Sequence, residues 1–343
     1  MDGAGNLLFR KRKNPPAAAL SPKKILVIRR DQIGDILPAT ALPQILKEHF
    51  SGAELHFLTS AAGEELLRNN PYVDRVWTDS RRMRGQKYDL GFAPRGDVRD
   101  NFLMWRLGAG RRLGYGITGG GFFLTDEIPY KKGVHESRHT LDLLNVLGVH
   151  PAKLAPSIHW SAEEERRFEK QLAGQGVSGP GWIGVQVDAG TEAKQWPLEN
   201  FKRFLEGLQS KFPDAKTVLV GADRARAREL AGAAPGLRVV DLAGKTGLRE
   251  LLYLLKRLSL FIGADSGPGH AAASFGVPVL FLYSGTNVFD EWRSLEESAE
   301  FLRNPVPCSP CHLTLCPVPG HPCMTGIAPK RAVDWVLERS RER

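Results

Sequence analysis

The chain has 343 residues, 42% of them hydrophobic, with 47 Lys and Arg against 38 Asp and Glu, a formal net charge of +9 and a pI near 9.4. That length can bury two ordinary cores, and the basic balance favours acidic partners, whether nucleic acid, anionic lipid or phosphorylated small molecules. No apolar run approaches the ~20 residues that cross a bilayer, and the N-terminus lacks a signal-peptide core, so a soluble, cytoplasmic protein is expected.

Residues 1–22 read as a disordered basic arm. Arg10-Lys11-Arg12-Lys13 is followed by Pro15-Pro16 and alanines, with no periodicity and no core residues. A solvated tail is the plain reading; a tether to anionic membrane is the alternative. Ile25 to Arg30 is then a buried strand, and Asp31-Gln32-Ile33-Gly34-Asp35 turns it into a helix from about Ile36 to His49. Strands over Glu54–Thr59, Val73–Trp77 and Tyr88–Ala93 alternate with helices over Ala61–Asn69, Arg99–Leu107 and His135–Val149, a pattern that specifies a parallel, helix-covered sheet.

Gly114-Tyr115-Gly116-Ile117-Thr118-Gly119 spells G-x-G-x-x-G, yet it follows Arg111-Arg112-Leu113 rather than a clear buried strand and opens no convincing helix. The context of a dinucleotide fingerprint is missing, so the segment reads as a loop. Arg111 and Arg112 beside it are weak candidates for contacting an anionic substrate.

After a linker at Pro151–Pro156, Ser161-Ala162-Glu163-Glu164 starts a capped helix, and a glycine-rich stretch from Gly174 leads into a second α/β series. Its strand candidates are Trp182–Val187, Thr217–Val220, Leu237–Leu242, Leu258–Ile262 and Val277–Tyr283. The expected fold is therefore α/β, with two Rossmann-like domains, 23–175 and 176–343, whose parallel sheets face each other across a cleft.

Chemistry-bearing residues gather at the turns of the second series. Asp265-Ser266-Gly267-Pro268-Gly269-His270 joins a strand to a helix, where free N–H groups and the positive dipole end suit an anion. Lys194, in Lys194-Gln195-Trp196-Pro197, can reach a phosphate as a mobile charge, and Asp223 is placed at a strand end to accept from a ribose. Taken singly, Lys194 is a surface lysine and Asp35 a helix cap.

The segments Ile25–Pro38, Lys194–Phe201, Gly263–Gly285 and Cys308–Ile327 resemble, in order and spacing, the heptosyltransferases of lipopolysaccharide core synthesis, glycosyltransferase family 9, and they span nearly the whole chain past the arm. The resemblance implies the GT-B architecture, an acceptor-binding first domain, a nucleotide-sugar-binding second domain, and inverting transfer of heptose from ADP-heptose to the lipopolysaccharide inner core. It implies Asp35 as general base, Lys194 facing the donor phosphates, Asp265, Ser266, Gly267 and His270 holding the nucleotide sugar, and Asp223 near the nucleoside. Asp188-Ala189-Gly190 departs from relatives with hydroxyl side chains there.

No Asp-x-Asp triplet occurs, so the metal clamp of many glycosyltransferases has no evident ligands and no cofactor is expected for catalysis. All four cysteines, Cys308, Cys311, Cys316 and Cys323, fall in one short window, for which a structural Zn²⁺ site is one account. Pro329–Arg343 reads as an amphipathic helix that could return to the first domain or face anionic lipid. The expected partners are ADP-heptose or a similar nucleotide sugar and a lipid-linked anionic glycan, met at the cytoplasmic face of the inner membrane by peripheral association, with no nucleic acid. Three alternatives stay open: another nucleotide sugar, a non-catalytic nucleotide- or glycan-binding relative, and an NAD(P)-linked oxidoreductase, which the misplaced glycine motif disfavours.

Overall fold

Runs such as Ile25-Leu26-Val27-Ile28 and Val279-Leu280-Phe281-Leu282 are buried on both faces, as strands of a helix-covered parallel sheet must be. The computed structural model describes residues 20–233 and 235–341 and divides the chain into two units, up to Trp160 and from Ser161. Apart from residues 20–22, the expected basic arm lies outside the described residues.

The first unit contains strands β1 (Lys24–Ile28), β2 (Glu54–Leu58), β3 (Arg75–Trp77), β4 (Leu90–Ala93), β5 (Arg111–Gly114) and β6 (Asp126–Glu127), with helices α1 (Ile33–Ala39), α2 (Leu42–His49), α3 (Ala61–Leu67), α4 (Val98–Arg106) and α5 (Glu136–Val146). The second contains β7 (Trp182–Gln186), β8 (Lys216–Val220), β9 (Arg238–Asp241), β10 (Leu260–Ala264), β11 (Val279–Tyr283) and β12 (Ala299–Arg303). Its helices are α6 (Ala162–Gly174), α7 (Leu198–Lys211), α8 (Arg224–Ala231), α9 (Leu248–Lys256), α10 (Gly267–Ser274), α11 (Phe289–Trp292), α12 (Pro322–Thr325) and α13 (Pro329–Arg341).

The sheets run β3-β2-β1-β4-β5-β6 and β12-β11-β10-β7-β8-β9, all parallel. Counted within each unit, both follow the 3-2-1-4-5-6 order of the Rossmann fold. The strand order therefore reverses between β1 and β4 and between β7 and β10, and crevices open outside the carboxyl ends of those strands. Along β1, Ile25 and Val27 enter one core layer while Leu26 and Ile28 enter the other, the period-2 alternation a strand imposes.

The structure corrects three expectations. The helix from Ile36 to His49 is two helices: Pro43 has no N–H to continue a ladder, Thr40 closes α1 with its Oγ1 on the Leu37 carbonyl at 2.6 Å, and the chain restarts with Pro43 in the first turn of α2. Arg111–Gly114 is a strand, unreadable as one because it carries two arginines; only the helix of a dinucleotide fingerprint is missing, since a three-residue 3₁₀ turn, Gly121–Phe123, follows instead. The division falls after Trp160, not after 175, because α6 is anchored in the second unit. Glu164, reciprocally capping Ser161, receives Arg249 Nε at 2.9 Å and Nη2 at 2.8 Å, with both residues buried. The terminal helix forms as expected, and within the second unit α13 packs on α7, where a Cβ on Gly207 would stand 2.7 Å from Val333 Cγ2.

Candidate active site

At the β7/β10 crevice the turn after β10 brings together several of the expected residues. Asp265 is 5% exposed and is surrounded by donors. Lys194 Nζ donates to its Oδ2 at 2.9 Å and to its main-chain carbonyl at 3.1 Å, His270 Nε2 lies 2.9 Å from Oδ1, and Asn287 Nδ2 donates to Oδ2 at 3.2 Å. Burial pushes the Asp265 carboxyl up, but the hydrogen bond from His270 and the charge of Lys194 outweigh it, so the group sits below the usual carboxylate range.

Ser266 is the N-cap of α10 without a side-chain capping bond. Its Oγ instead donates to Gln186 Oε1 at 2.8 Å, across the crevice from β10 to β7. The first-turn N–H groups of α10 are left to the crevice, Pro268 having none. Gly269 is needed because a Cβ there would lie 2.6 Å from Phe281 Cε1, and Gly263 because one would lie 2.9 Å from Gln186 Cβ.

Two further loops meet this edge. Asp188, after β7, accepts the N–H groups of Ala222 at 2.6 Å and Asp223 at 2.8 Å through Oδ2. Gly221, at φ +136°, permits the approach, since a Cβ there would be 2.5 Å from Asp188 Oδ1. Asp223 Oδ1 caps α8 through the N–H groups of Ala225 and Arg226, both at 3.0 Å. Arg226 ties the same loops together, donating to the Val187 and Trp196 carbonyls at 2.9 and 2.8 Å.

The cysteine-rich segment braces the Lys194 loop. Ala193 N–H donates to the Thr314 carbonyl at 3.0 Å, His321 Nε2 lies 3.1 Å from the Ala193 carbonyl, and Trp196 Nε1 donates to the Ile327 carbonyl at 3.1 Å. All four thiols are free; Cys308 is exposed, whereas Cys323 is buried, which pushes its thiol up. Among the described residues no group of three or more His, Cys, Asp or Glu is placed to hold a metal ion, so the cysteines do not assemble as the expected tetrahedral set.

In the first unit, Asp35 lies in the first turn of α1. Gln32 is the N-cap, so Asp35 is not the cap that its sequence position suggested. Its side chain is 29% exposed, and Arg29 Nη2 lies 3.5 Å from its Oδ1. Arg29 Nε also lies 2.8 Å from Asp31, which Arg95 contacts as well. Glu136 is held high by burial, against the pull of His139 and Arg29, and the charge of Asp35 adds to the rise. Arg111 and Arg112 serve the fold: Arg111 is buried on Asp126 at 2.9 Å, and Arg112 donates to the Phe123 and Ala109 carbonyls at 2.5 and 2.6 Å. Asp265, Ser266, His270, Lys194 and Asp223 were visible from the sequence, and Asp188 as a departure from relatives; Gln186, Asn287 and Arg29, at or just beyond the carboxyl ends of strands that were found, and Arg226, in the first turn of α8, were not.

Two units with Rossmann strand order, the second with a lysine and a helix start around a buried carboxylate at its sheet edge, define a doubly wound α/β protein. Residues 76–321 match the model of glycosyltransferase family 9 (heptosyltransferase), and the chain belongs to that family. It is similar to lipopolysaccharide heptosyltransferase 3 of Escherichia coli strain K12, 25% identical over 292 residues that cover 77% of this chain and 83% of the relative. Two solved structures share its fold. For the Escherichia coli ADP-heptose lipopolysaccharide heptosyltransferase II the TM-score is 0.74 at 20% identity, covering 93% of this chain and 100% of the other. For the family 9 glycosyltransferase of Veillonella parvula it is 0.79 at 18% identity, covering 94% and 98%. The chain is thus a glycosyltransferase of the heptosyltransferase family with the GT-B pair of sheets. Among the described residues no helix is long and apolar enough to cross a membrane.

Proposed function

We propose that this glycosyltransferase transfers a heptose from ADP-heptose to the lipopolysaccharide inner core, with inversion and without a metal ion. The observation that carries the reading is the cluster at the β7/β10 crevice, where Lys194 spends two of its three N–H donors on Asp265 and keeps one for a ligand. A phosphate oxygen met by that N–H and by the start of α10 has the partners a leaving diphosphate needs. Asp223 faces the nucleoside, and His270, Ser266 and Gly267 complete the donor loop. Two of the relatives named above carry lipopolysaccharide in their names, and one of these carries ADP-heptose as well, which supports both substrates.

In the proposed reaction, an acceptor hydroxyl loses its proton to Asp35 as its oxygen bonds to the anomeric carbon. The bond from that carbon to the β-phosphate oxygen breaks, and ADP departs with the electron pair. A single displacement of this kind inverts the anomeric centre. Lys194 and the α10 N–H groups take the charge growing on the diphosphate, the work a metal does elsewhere. Arg29 Nη2, 3.5 Å from Asp35 Oδ1, steadies the carboxylate that takes the proton. The acceptor is a lipid-linked anionic glycan reached by peripheral association with the cytoplasmic face of the inner membrane.

The test is ADP release from ADP-heptose with a panel of truncated lipopolysaccharide acceptors, with and without chelator. Acceptor-dependent release that persists in chelator and falls by about three orders of magnitude in folded Asp35→Asn supports the reading. Tight ADP binding without release on any acceptor would reject the heptose assignment, and chelator-sensitive activity restored by Mg²⁺ or Mn²⁺ would reject metal independence.

A further inference from the structure

One core layer of the first sheet is covered by three segments: the 3₁₀ turn Ser80–Met83, anchored by Met83; α4, anchored by Leu103 and Met104; and the turn Gly121–Phe123, which leads into buried Leu124. Their outer sides are unusual for a surface meant only for water. On α4, Phe102 and Trp105 remain 39% and 41% exposed with ring centroids 5.6 Å apart. Phe123 lies 5.4 Å from Phe102 and 5.6 Å from Trp105, and Phe122 is 4.3 Å beyond it, so four rings form one cluster.

The same layer is cationic. Arg81, Arg82, Arg84 and Lys87 are all exposed, with no acid between residues 80 and 88, and Arg99 and Arg106 are exposed on α4. Beside the first two segments the acids are engaged: Asp79 by Arg81, Asp97 by Arg99, Asp100 by Arg30, and Asp89 by the N–H groups of Lys23 and Lys24, while Glu127 lies against Gly121 of the third. An exposed aromatic cluster rimmed by polar groups marks an interaction surface. With Arg99 and Arg106 on the helix that carries Phe102 and Trp105, and further arginines exposed on a segment covering the same layer, the chemistry it matches is a layer whose outer part is phosphate and whose inner part is hydrocarbon.

We propose that this aromatic and arginine face of the first unit docks on an anionic phospholipid bilayer, with Phe102 and Trp105 entering the headgroup boundary and Arg81, Arg82 and Arg84 meeting lipid phosphates. It rests on the peripheral association read above and gives that association a surface, but it uses none of the residues assigned to donor or acceptor chemistry, so vesicle binding can fail while transfer to a soluble acceptor stands.

The experiment is co-sedimentation of the full-length protein with vesicles of mixed phosphatidylglycerol and phosphatidylcholine and with vesicles of phosphatidylcholine alone. Expected is binding to the mixed vesicles that weakens as salt rises. Arg81→Glu/Arg82→Glu/Arg84→Glu, at exposed positions and with folding checked by circular dichroism, lowers the partition coefficient roughly a hundredfold or more. Phe102→Ser/Trp105→Ser lowers it about tenfold, and brominated lipid quenches the wild-type fluorescence more than that of Trp105→Phe. ADP release on a water-soluble acceptor fragment stays unchanged in all three variants. Absence of binding to mixed vesicles would overturn the proposal, as would binding that survives both sets of substitutions, which would place it on the basic N-terminal residues instead.

Discussion

Asp265 grips Lys194 with two oxygens of a single residue, the carboxylate Oδ2 at 2.9 Å and the main-chain carbonyl at 3.1 Å from Nζ. The grip fixes where the ammonium points while His270 and Asn287 satisfy the rest of the buried carboxylate. Lys194 is therefore held in place before any ligand arrives, and little of its freedom remains to be lost on binding.

On that account Lys194→Met should cost about 10²- to 10³-fold in kcat/KM, roughly 3–4 kcal/mol, with a parallel loss of ADP affinity by calorimetry. Lys194→Arg should recover only part of it, because a planar fork cannot reproduce the compact contact with two oxygens of one residue. Equal ADP affinity in wild type and Lys194→Met would show that the lysine serves only the buried carboxylate.

Asp97 offers a pH test. The hydrogen bonds from Arg99, foremost those of its side chain, hold the Asp97 carboxyl down at about 2, below its ordinary 3.8. A folded-state value below the unfolded one means that its contribution to stability is complete above about pH 4 and is lost as the pH falls toward about 2. Thermal melts should show the wild type losing stability across that window and Asp97→Asn losing less, since Asn still caps α4. Asp97→Ala should lie about 1 kcal/mol below Asp97→Asn at every pH, the cost of the missing cap.

The buried pair of Glu164 and Arg249 tests the assignment of α6 to the second unit. Arg249→Met leaves a carboxylate buried without its partner and should cost about 3–5 kcal/mol in urea unfolding. Arg249→Met/Glu164→Gln should recover a large part of that loss. A cost under about 1 kcal/mol for the single change would mean that α6 is not held by this pair.

Much of this architecture is legible in the chain because its strands are continuous apolar runs with helical periodicity between them, so β1, β2, β4, β7, β8, β10 and β11 are found to within a residue or two. β5 and β12 escape for a physical reason. Arg111 is buried only because Asp126 neutralises it, and Ala299-Glu300-Phe301-Leu302-Arg303 carries two charges, one of them accepting from Trp335 at 2.7 Å. Neither pairing is local, so no window of sequence contains it. The site divides in the same way. Asp265 to His270 is visible because a strand, a polar turn and a helix are consecutive. Gln186 becomes a partner of Ser266 only because β7 and β10 lie side by side across 80 residues of chain. The α6 boundary was misread because a well-formed helix start at Ser161 says nothing about which sheet the helix will cover.

The three aspartates at the edge of the second sheet also decide what an approaching anion meets. Asp188 is occupied by two backbone N–H groups, Asp223 by two more, and Asp265 by Lys194, His270 and Asn287. Three carboxylates beside a polyanionic ligand ought to repel it. Here each negative charge is drawn inward onto donors of the protein, so the crevice carries acidic residues without presenting an acidic field. Replacing Lys194, His270 or Asn287 would do more than loosen a loop: it would leave the Asp265 charge less answered at the edge where a phosphate is proposed to sit.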